Sequence, residues 1–229
     1  MVSINIETST SVCSLSLTVN GEPLLAYRDD TTHNHAKQLP LFADALLKEV
    51  QSRGLKIDAV ALSKGPGSYT GLRIGTAFAK GLCYGLNVPL LAIDTLRLMA
   101  QEALQQTSAE VLCPMIDARR MEVYCCLFTR DMNVLSPVEA KVIDANAFCD
   151  ILSNHTLCCF GDGADKCKAV LQHPNISFLD NIVPDAKNMG CLAEEAYQAG
   201  RKEDIAYFDP FYLKEYHAIH SVNKVLQHN

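Results

Sequence analysis

The sequence has no block rich in lysine and arginine. Its 20 Lys and Arg residues stand against 26 Asp and Glu residues, which gives a formal net charge of −6. Binding to nucleic acid requires a cationic footprint, so this balance argues against RNA or DNA binding by the chain alone. An acidic protein can still work in a complex that handles RNA.

Long apolar runs are also missing. No stretch is long enough to cross a bilayer, and the first residues, MVSINIETSTSVCS, lack the basic segment and continuous apolar run of a targeting signal. We therefore expect a cytoplasmic protein that does not enter a membrane. The 48% hydrophobic and 20% charged residues are ordinary for a globular chain, whose 229 residues allow one or two domains.

The ten cysteines form no C-x-x-C motif. Disulfide scaffolds are typically short secreted chains, whereas this chain is long and has no secretion signal. The pairs Cys125-Cys126 and Cys158-Cys159 lie in apolar runs. We predict that the cysteines are buried, reduced thiols, which is the usual environment of free cysteine.

Neither common phosphate-binding fingerprint occurs in the glycine-rich stretch 57–89. Leu72 and Arg73 stand where a P-loop needs Lys and Ser or Thr, and there is no G-x-G-x-x-G. The pattern predicts a strand, a glycine turn and a helix over 71–85, with Ser68 or Thr70 as its N-terminal cap. Two interpretations stay open: an anion site at the helix N-terminus, or a tight connection without a ligand.

The helix over 71–85 carries two stripes of small residues at four-residue spacing. One stripe is Gly71, Gly75 and Ala79, and the other is Ala77, Gly81 and Gly85. Each glycine inside a helix costs about 1 kcal/mol relative to alanine, so four of them need a reason, and close packing supplies one. The stripes face different ways, so one could lie on the sheet while the other meets a partner.

The order of elements predicts an α/β fold built from a repeated unit. Three antiparallel strands, signalled by alternation and by Asn20-Gly21, come first, and helix, strand, helix, strand and helix follow up to about residue 108. The second half starts over at 111, with helices predicted at 145–153, 164–171 and 186–200. We therefore predict two copies of one βββαβαβα unit, in domains 1–108 and 109–229.

Polar residues at the strand ends and helix starts are candidate ligands. Glu7 and Asp117 occupy equivalent places in the two units, where this kind of fold can hold a phosphate-binding acid, or where a polar turn simply connects strands. His33 and His35 form an H-x-H pair, but a zinc site needs three or four protein ligands, so we predict no metal. The aromatic segment 209–214 is expected to pack on the body, and the end with His217, His220 and His228 to be loose.

The segment 65–75 reads GPGSYTGLRIG, and four shorter motifs accompany it in order. These are ETS at 7–9, His35 with Leu39-Pro40, DAR at 117–119 followed by EVY at 122–124, and Pro210 with Tyr212-Leu213. Together they resemble the signature of the TsaB family, also called YeaZ, over nearly the whole chain. The chain departs from that signature at Glu7, where the family usually has Asp.

The resemblance implies two ribonuclease-H-like lobes of the actin and Hsp70 (ASKHA) superfamily, and a non-catalytic relative of TsaD. TsaD proteins carry an H-x-x-x-H metal motif, and residues 92–98 contain no histidine. The implied partners are a TsaD-like threonylcarbamoyltransferase and a TsaE-like ATPase. Their complex forms threonylcarbamoyladenosine beside the tRNA anticodon, so this chain is expected to contact tRNA only as part of the complex. No catalytic residue, cofactor or metal is expected in the chain itself.

On this resemblance the partner is expected to dock on the two helices 39–50 and 71–85 of the first lobe. The residues assigned to the interface are Leu39, Phe42, Leu46, Tyr69, Arg73, Gly75 and Ala79. A large residue at Gly75 or Ala79 is expected to abolish binding while leaving the monomer folded. The same surface is expected to support a homodimer when the partner is absent.

Two enzymatic functions are alternatives to the scaffold. An ATP-dependent ASKHA-type small-molecule kinase is allowed by Glu7 and Asp117 at strand ends, but no convincing adenosine-binding G-G-x-x motif is present. A protease is not supported, because there is no Ser-His-Asp arrangement and no H-E-x-x-H motif. Fold analogy alone cannot establish either activity.

Overall fold

The computed structural model describes residues 1–31 and 34–214. His33, His217, His220 and His228 lie outside these residues. The first unit begins with a three-stranded antiparallel meander, whose second hairpin turns at Asn20-Gly21 with positive φ at both residues (52° and 83°). Its elements are β1 (Val2–Glu7), β2 (Cys13–Val19), β3 (Glu22–Asp29), α1 (His35–Ser52), β4 (Ala59–Gly65), α2 (Tyr69–Leu86), β5 (Leu90–Asp94) and α3 (Thr95–Ala103).

The second unit repeats the strand order of the first. Its elements are β6 (Val111–Asp117), β7 (Glu122–Thr129), β8 (Val134–Val142), α4 (Cys149–Leu152), β9 (Leu157–Phe160), β10 (Ile176–Leu179) and α5 (Gly190–Gln198). The first sheet runs β3-β2-β1-β4-β5 and the second β10-β9-β6-β7-β8, so β6 takes the place of β1 and β9 that of β4. In both sheets the first strand pairs antiparallel with the second and parallel with the fourth. The predicted α/β fold with duplicated units is confirmed.

The helices of the second unit are shorter than the sequence pattern predicts. The predicted helix 164–171 contains one turn of 3-10 helix, Asp165–Cys167. The predicted helix 145–153 is reduced to α4. The predicted helix 186–200 divides into a 3-10 turn, Ala186–Asn188, and α5.

Helices α3 and α5 each pack across the division expected at residue 108. Met189, Leu192, Ala193 and Ala196 from the α5 region share a core with Ala59, Ala61, Leu91 and Ile93 of the first sheet. Leu96, Met99, Ala100 and Ala103 of α3 share a core with the second sheet, including Leu112, Phe128 and Phe160. A boundary at residue 108 therefore separates the two sheets, but it does not separate their hydrophobic cores, since α3 and α5 each pack on the sheet of the other half. The division into domains 1–108 and 109–229 stays a prediction.

One face of the first sheet is polar and nevertheless buried. Asn5 Nδ2 donates to Ser16 Oγ at 3.0 Å, and Ser16 Oγ donates to the carbonyl of Ala186 at 2.7 Å. The backbone N–H of Ala186 donates to Ser14 Oγ at 2.9 Å. The segment before α5 thus covers this face and satisfies its hydroxyl groups, as buried polar groups require.

All ten cysteines are unpaired. Eight are buried, as predicted, but Cys149 and Cys191 are exposed, which corrects the prediction for those two. Within residues 1–31 and 34–214, no helix has the length and apolar character needed to cross a membrane.

Candidate functional site: the glycine loop and the outer face of helices α1 and α2

The turn after β1 lies directly against the start of α2. A Cβ atom on Gly71 would overlap the carbonyl oxygen of Thr8, and one on Gly75 would overlap the Thr8 hydroxyl. Only glycine lets the helix approach the turn this closely. The first stripe of small residues is therefore used for packing inside the chain.

Two backbone donors at the start of α2 bond within the protein itself. The N–H of Ser68 donates to the Ser9 carbonyl at 2.6 Å, and the N–H of Gly71 donates to Ser68 Oγ at 3.2 Å. Ser68, rather than Thr70, is thus the N-terminal cap. Because the turn after β1 fills the space in front of these groups, the tight-connection interpretation is favoured over an anion site.

Glu7 ends β1 as a fully buried carboxyl group. Its Oε1 accepts the backbone N–H of Ser9 at 2.5 Å, and its Oε2 accepts the hydroxyl of Ser63 on β4. Burial raises the pKa of Glu7, while the hydrogen bonds from Ser63 and Ser9 oppose that shift. The carboxyl group therefore serves the packing of the turn and does not face solvent.

Asp117 holds the matching position at the end of β6 but has a different environment. Its carboxylate is half exposed and forms an ion pair with Lys166. Burial pushes its pKa up, but the bonds from Lys166 and from the backbone N–H of Arg119 outweigh this and lower the pKa. Neither Glu7 nor Asp117 is thus an unpaired carboxylate at the surface.

Four of the seven predicted interface residues lie inside the chain. Leu39, Leu46 and Ala79 have no exposed surface and belong to the core of the first unit, and Gly75 is buried against Thr8. Their side chains cannot touch a partner in this conformation. The expectation that a large residue at Gly75 or Ala79 leaves the monomer folded is accordingly wrong, because both positions are filled by the chain itself.

The other three predicted residues reach the surface. Arg73 is exposed, while Phe42 and Tyr69 are half-buried. Phe42 stacks on Tyr27 of β3 with ring centroids 5.6 Å apart. These residues are therefore the members of the predicted set that are available for contact.

The second stripe of small residues is open to solvent. Ala77, Gly81 and Gly85 are exposed, and no atom lies within 4 Å of a Cβ atom built on Gly81 or Gly85. Arg73 continues this stripe by one helical turn, since 73, 77, 81 and 85 share a face. We name this set, from Arg73 to Gly85, the open stripe.

Two large exposed apolar side chains on helices α1 and α2 were not predicted. Leu41 of α1 is 58% exposed and Tyr84 of α2 is 84% exposed. Leu41 follows Pro40 and does not fit the helical spacing of the buried apolar residues of α1. That mismatch in the sequence could have indicated that Leu41 is exposed. Tyr84 lies on the same helix as the open stripe, and large exposed apolar residues are typical of interaction surfaces.

The charges on the two helices are unevenly distributed. Helix α2 contains Arg73 and Lys80 and no acidic residue. On α1, Asp44 is paired with Lys48 at 2.7 Å and Glu49 with Arg53 at 3.2 Å. The outer face of α2 is therefore cationic on a chain whose net charge is −6.

His35 has a structural role at the start of α1. It is buried, and its Nε2 lies 3.0 Å from the carbonyl oxygen of Thr10. Among the described residues, no group of three or more His, Cys, Asp and Glu side chains is arranged to hold a metal ion.

Comparison with known protein families shows which family this chain belongs to. The family model described as "TsaD: tRNA N6-adenosine threonylcarbamoyltransferase" matches residues 29–218. A TsaB protein of Buchnera aphidicola (Baizongia pistaciae) is 31% identical over 91% of this chain and 96% of its own length. The chain belongs to the TsaB family. A TsaB protein of Haemophilus influenzae is 35% identical over 55% of this chain, and that match spans only 53% of the H. influenzae protein.

Solved structures support the same TsaB assignment. The structure of YeaZ from Pseudomonas aeruginosa superposes with a TM-score of 0.78 at 26% sequence identity, covering 93% of this chain and 99% of that protein. The predicted resemblance to TsaB is confirmed, and with it the two-lobed α/β architecture. The duplicated sheets described above are thus a shared feature of this chain and YeaZ.

Proposed function

We propose that the chain is a non-catalytic scaffold subunit that binds a TsaD-like threonylcarbamoyltransferase through the open stripe. Its curated relatives are named tRNA threonylcarbamoyladenosine biosynthesis protein TsaB. The observation that carries the proposal is the exposure of Ala77, Gly81 and Gly85 on a helix whose other small stripe is already packed. Glycines that face solvent in a helix cost stability, so a surface kept this flat fits a second helix pair.

The reaction assigned to the complex is formation of threonylcarbamoyladenosine next to the tRNA anticodon. We place the chain in the cytoplasm, with a TsaE-like ATPase in the same complex and tRNA bound only through the complex. The acidic net charge supports indirect contact with tRNA. In the absence of the TsaD-like protein, the same stripe would join two copies of this chain.

The two candidate catalytic carboxyl groups favour a role without catalysis. Glu7 is buried under the turn after β1 and bonded to Ser9 and Ser63, and Asp117 is paired with Lys166. A carboxylate that holds metal and phosphate must offer free oxygen atoms to the ligand. Both oxygen atoms of Glu7 accept hydrogen bonds from the chain, and the Oδ1 atom of Asp117 is bonded to Lys166 and to the backbone N–H of Arg119.

Size-exclusion chromatography with the TsaD-like protein of the same organism tests the proposal. Ala77→Trp and Gly81→Trp place a large ring on the open stripe and should abolish co-elution while the circular dichroism spectrum stays unchanged. Ala145→Trp adds the same ring at an exposed position of the second unit and should leave co-elution intact. Co-elution that survives in both stripe variants would reject this surface.

One observation favours the kinase alternative. A groove of about 620 Å³ lies between the two units and is lined by Lys64 and Asp94 from the first and by Val138 from the second, together with Tyr207 and Phe211. A nucleotide could enter a groove of this size. Magnesium-dependent ATP binding by the isolated chain, measured by calorimetry, would support the kinase over the scaffold.

A further inference from the structure

A segment near the C-terminal end crosses the first unit and reaches the glycine loop. We call residues 203–214 the strap. The N–H of Glu203 donates to the carbonyl of Leu90 at 2.9 Å, Phe208 is buried in the core of the first unit, and the N–H of Phe211 donates to the carbonyl of Lys64 at 2.7 Å. The strap is therefore fixed to the ends of β4 and β5 by backbone bonds and one buried ring.

The strap then passes over the loop that leads into α2. Gly65 has a φ of +115°, and a Cβ atom there would lie 2.5 Å from the carbonyl oxygen of Phe211. Glycine is thus required both by the backbone angle and by the approach of the strap. Beyond this point Lys214 forms an ion pair with Glu122 of the second unit.

Between these two anchors the strap contacts the first residue of α2. The ring of Tyr212 packs on the ring of Tyr69, with centroids 4.7 Å apart. One turn further along α2, the guanidinium of Arg73 lies 5.5 Å from the centroid of the Tyr69 ring, and its Nη1 donates to the Tyr69 hydroxyl at 2.9 Å. Tyr212, Tyr69 and Arg73 therefore form one continuous row of contacts.

This row ends at the open stripe. An exposed arginine ordinarily samples many rotamers, and ordering it during association reduces the affinity gained. Arg73 is instead held over Tyr69 before any partner arrives. Helix α2 has no acidic residue of its own, and Asp209 of the strap influences the Arg73 cation through its charge without forming an ion pair with it. A carboxylate on the partner is therefore the complementary group for a direct ion pair.

From this geometry we infer that Tyr212 is a positioning residue of the partner-binding surface: it fixes Tyr69, which in turn holds Arg73 ready for a carboxylate of the partner. The inference rests on the proposed function, because it assigns a further part of the same docking surface. It extends that surface from the helices to the strap. The strap has independent anchors at Phe208 and Phe211, so removal of the Tyr212 ring leaves its path in place.

Calorimetric titration of the full chain with the TsaD-like protein of the same organism tests this inference. Tyr212→Ala should weaken the affinity by about threefold to tenfold, the size expected for an aromatic pair and an exposed cation–π contact. Tyr212→Phe keeps the ring and should restore most of the affinity. Tyr207→Ala, at a strap position that is 85% exposed, is the matched control and should bind like the wild type.

A double-mutant cycle separates positioning from general loosening of the strap. If Tyr212 acts through Arg73, then Tyr212→Ala should have little further effect once Arg73→Ala is present. Additive losses would show that the two residues act separately and would overturn the inference. Equal affinity of wild type and Tyr212→Ala would overturn it as well.

If the chain does not bind the TsaD-like protein at all, the measurements differ from those expected when only the role of Tyr212 is wrong. In that case the wild-type chain shows no heat of binding and no co-elution, and both proposals fall together. Wild-type binding that is insensitive to Tyr212→Ala rejects only the role of the strap. NMR of the Arg73 side-chain Nε–Hε signal, recorded without partner, gives a second measurement. The chemical shift of this signal should differ from the wild-type value in Tyr212→Ala and should equal it in Tyr207→Ala.

Discussion

Gly71 of α2 lies against the carbonyl group of Thr8, so closely that a Cβ atom at this position would overlap the Thr8 oxygen. The contact seats the start of the helix on the turn after β1. Together with the bond from the Ser68 N–H to the Ser9 carbonyl, it favours a tight connection over an anion site at the helix start.

Gly71→Ala should destabilise the folded chain. The overlap is with backbone, which cannot rotate away, so we expect a loss of about 1–3 kcal/mol in the free energy of unfolding. Gly81→Ala is the matched control, because its added Cβ meets open space, and it should gain about 0.5–1 kcal/mol. Urea denaturation followed by circular dichroism measures both. Similar stability of the two variants would contradict the packing described for the first stripe.

The choice of Ser68 as helix cap is testable against its neighbour. Ser68→Ala removes the side-chain oxygen that accepts the N–H of Gly71 and should cost about 1 kcal/mol in the free energy of unfolding. Thr70→Ala, also at an exposed position near the helix start, should cost less. A larger loss at Thr70 would reverse the assignment of the cap.

Glu7 should make stability fall as pH rises. Burial raises its native-state pKa above the ordinary value of 4.5, so the native state holds this proton more tightly than the unfolded chain does. Its contribution to stability is therefore complete below pH 4.5 and is lost as the pH rises through the native-state pKa. Glu7→Gln cannot titrate, so we expect its unfolding free energy relative to wild type to increase as the pH rises above 4.5 and to level off above the native-state pKa.

Urea denaturation at a series of pH values measures this difference. The control is Glu22→Gln, which alters an exposed carboxyl group on β3. The Glu22→Gln curve should run parallel to that of the wild type. A parallel curve for Glu7→Gln as well would show that Glu7 has the same pKa in the native and unfolded states.

Partner binding should weaken with salt. The open stripe carries Arg73, which forms no ion pair within α2 and is influenced only through charge by Asp209 of the strap, so its pairing with a carboxylate of the partner depends on ionic strength. Arg73→Glu should bind more weakly than wild type at low salt and should show a flatter salt dependence. Lys56→Glu makes the same charge change at an exposed position outside both helices and should have the smaller effect. Calorimetry at several NaCl concentrations distinguishes them.

Local patterns predicted most of the first unit. The alternation in β1 and β2, the Asn20-Gly21 turn and the stretch 57–89 gave the correct elements, because each signal is contained within a few neighbouring residues. The repeated order of strands also predicted the second sheet. The short helices of the second unit were overpredicted, since helical spacing alone does not show whether enough successive bonds form.

The proposed docking surface could be identified only from tertiary contacts. Helical periodicity showed that α2 has two small stripes, but only the contact of Gly71 and Gly75 with Thr8 determined which stripe is buried. The pairs Ser16–Ala186 and Tyr69–Tyr212 join residues more than 140 positions apart in the sequence. The local sequence thus determines which elements form and which faces they have. Packing between distant segments decides which face remains for a partner, because burial is set by neighbours that no local pattern identifies.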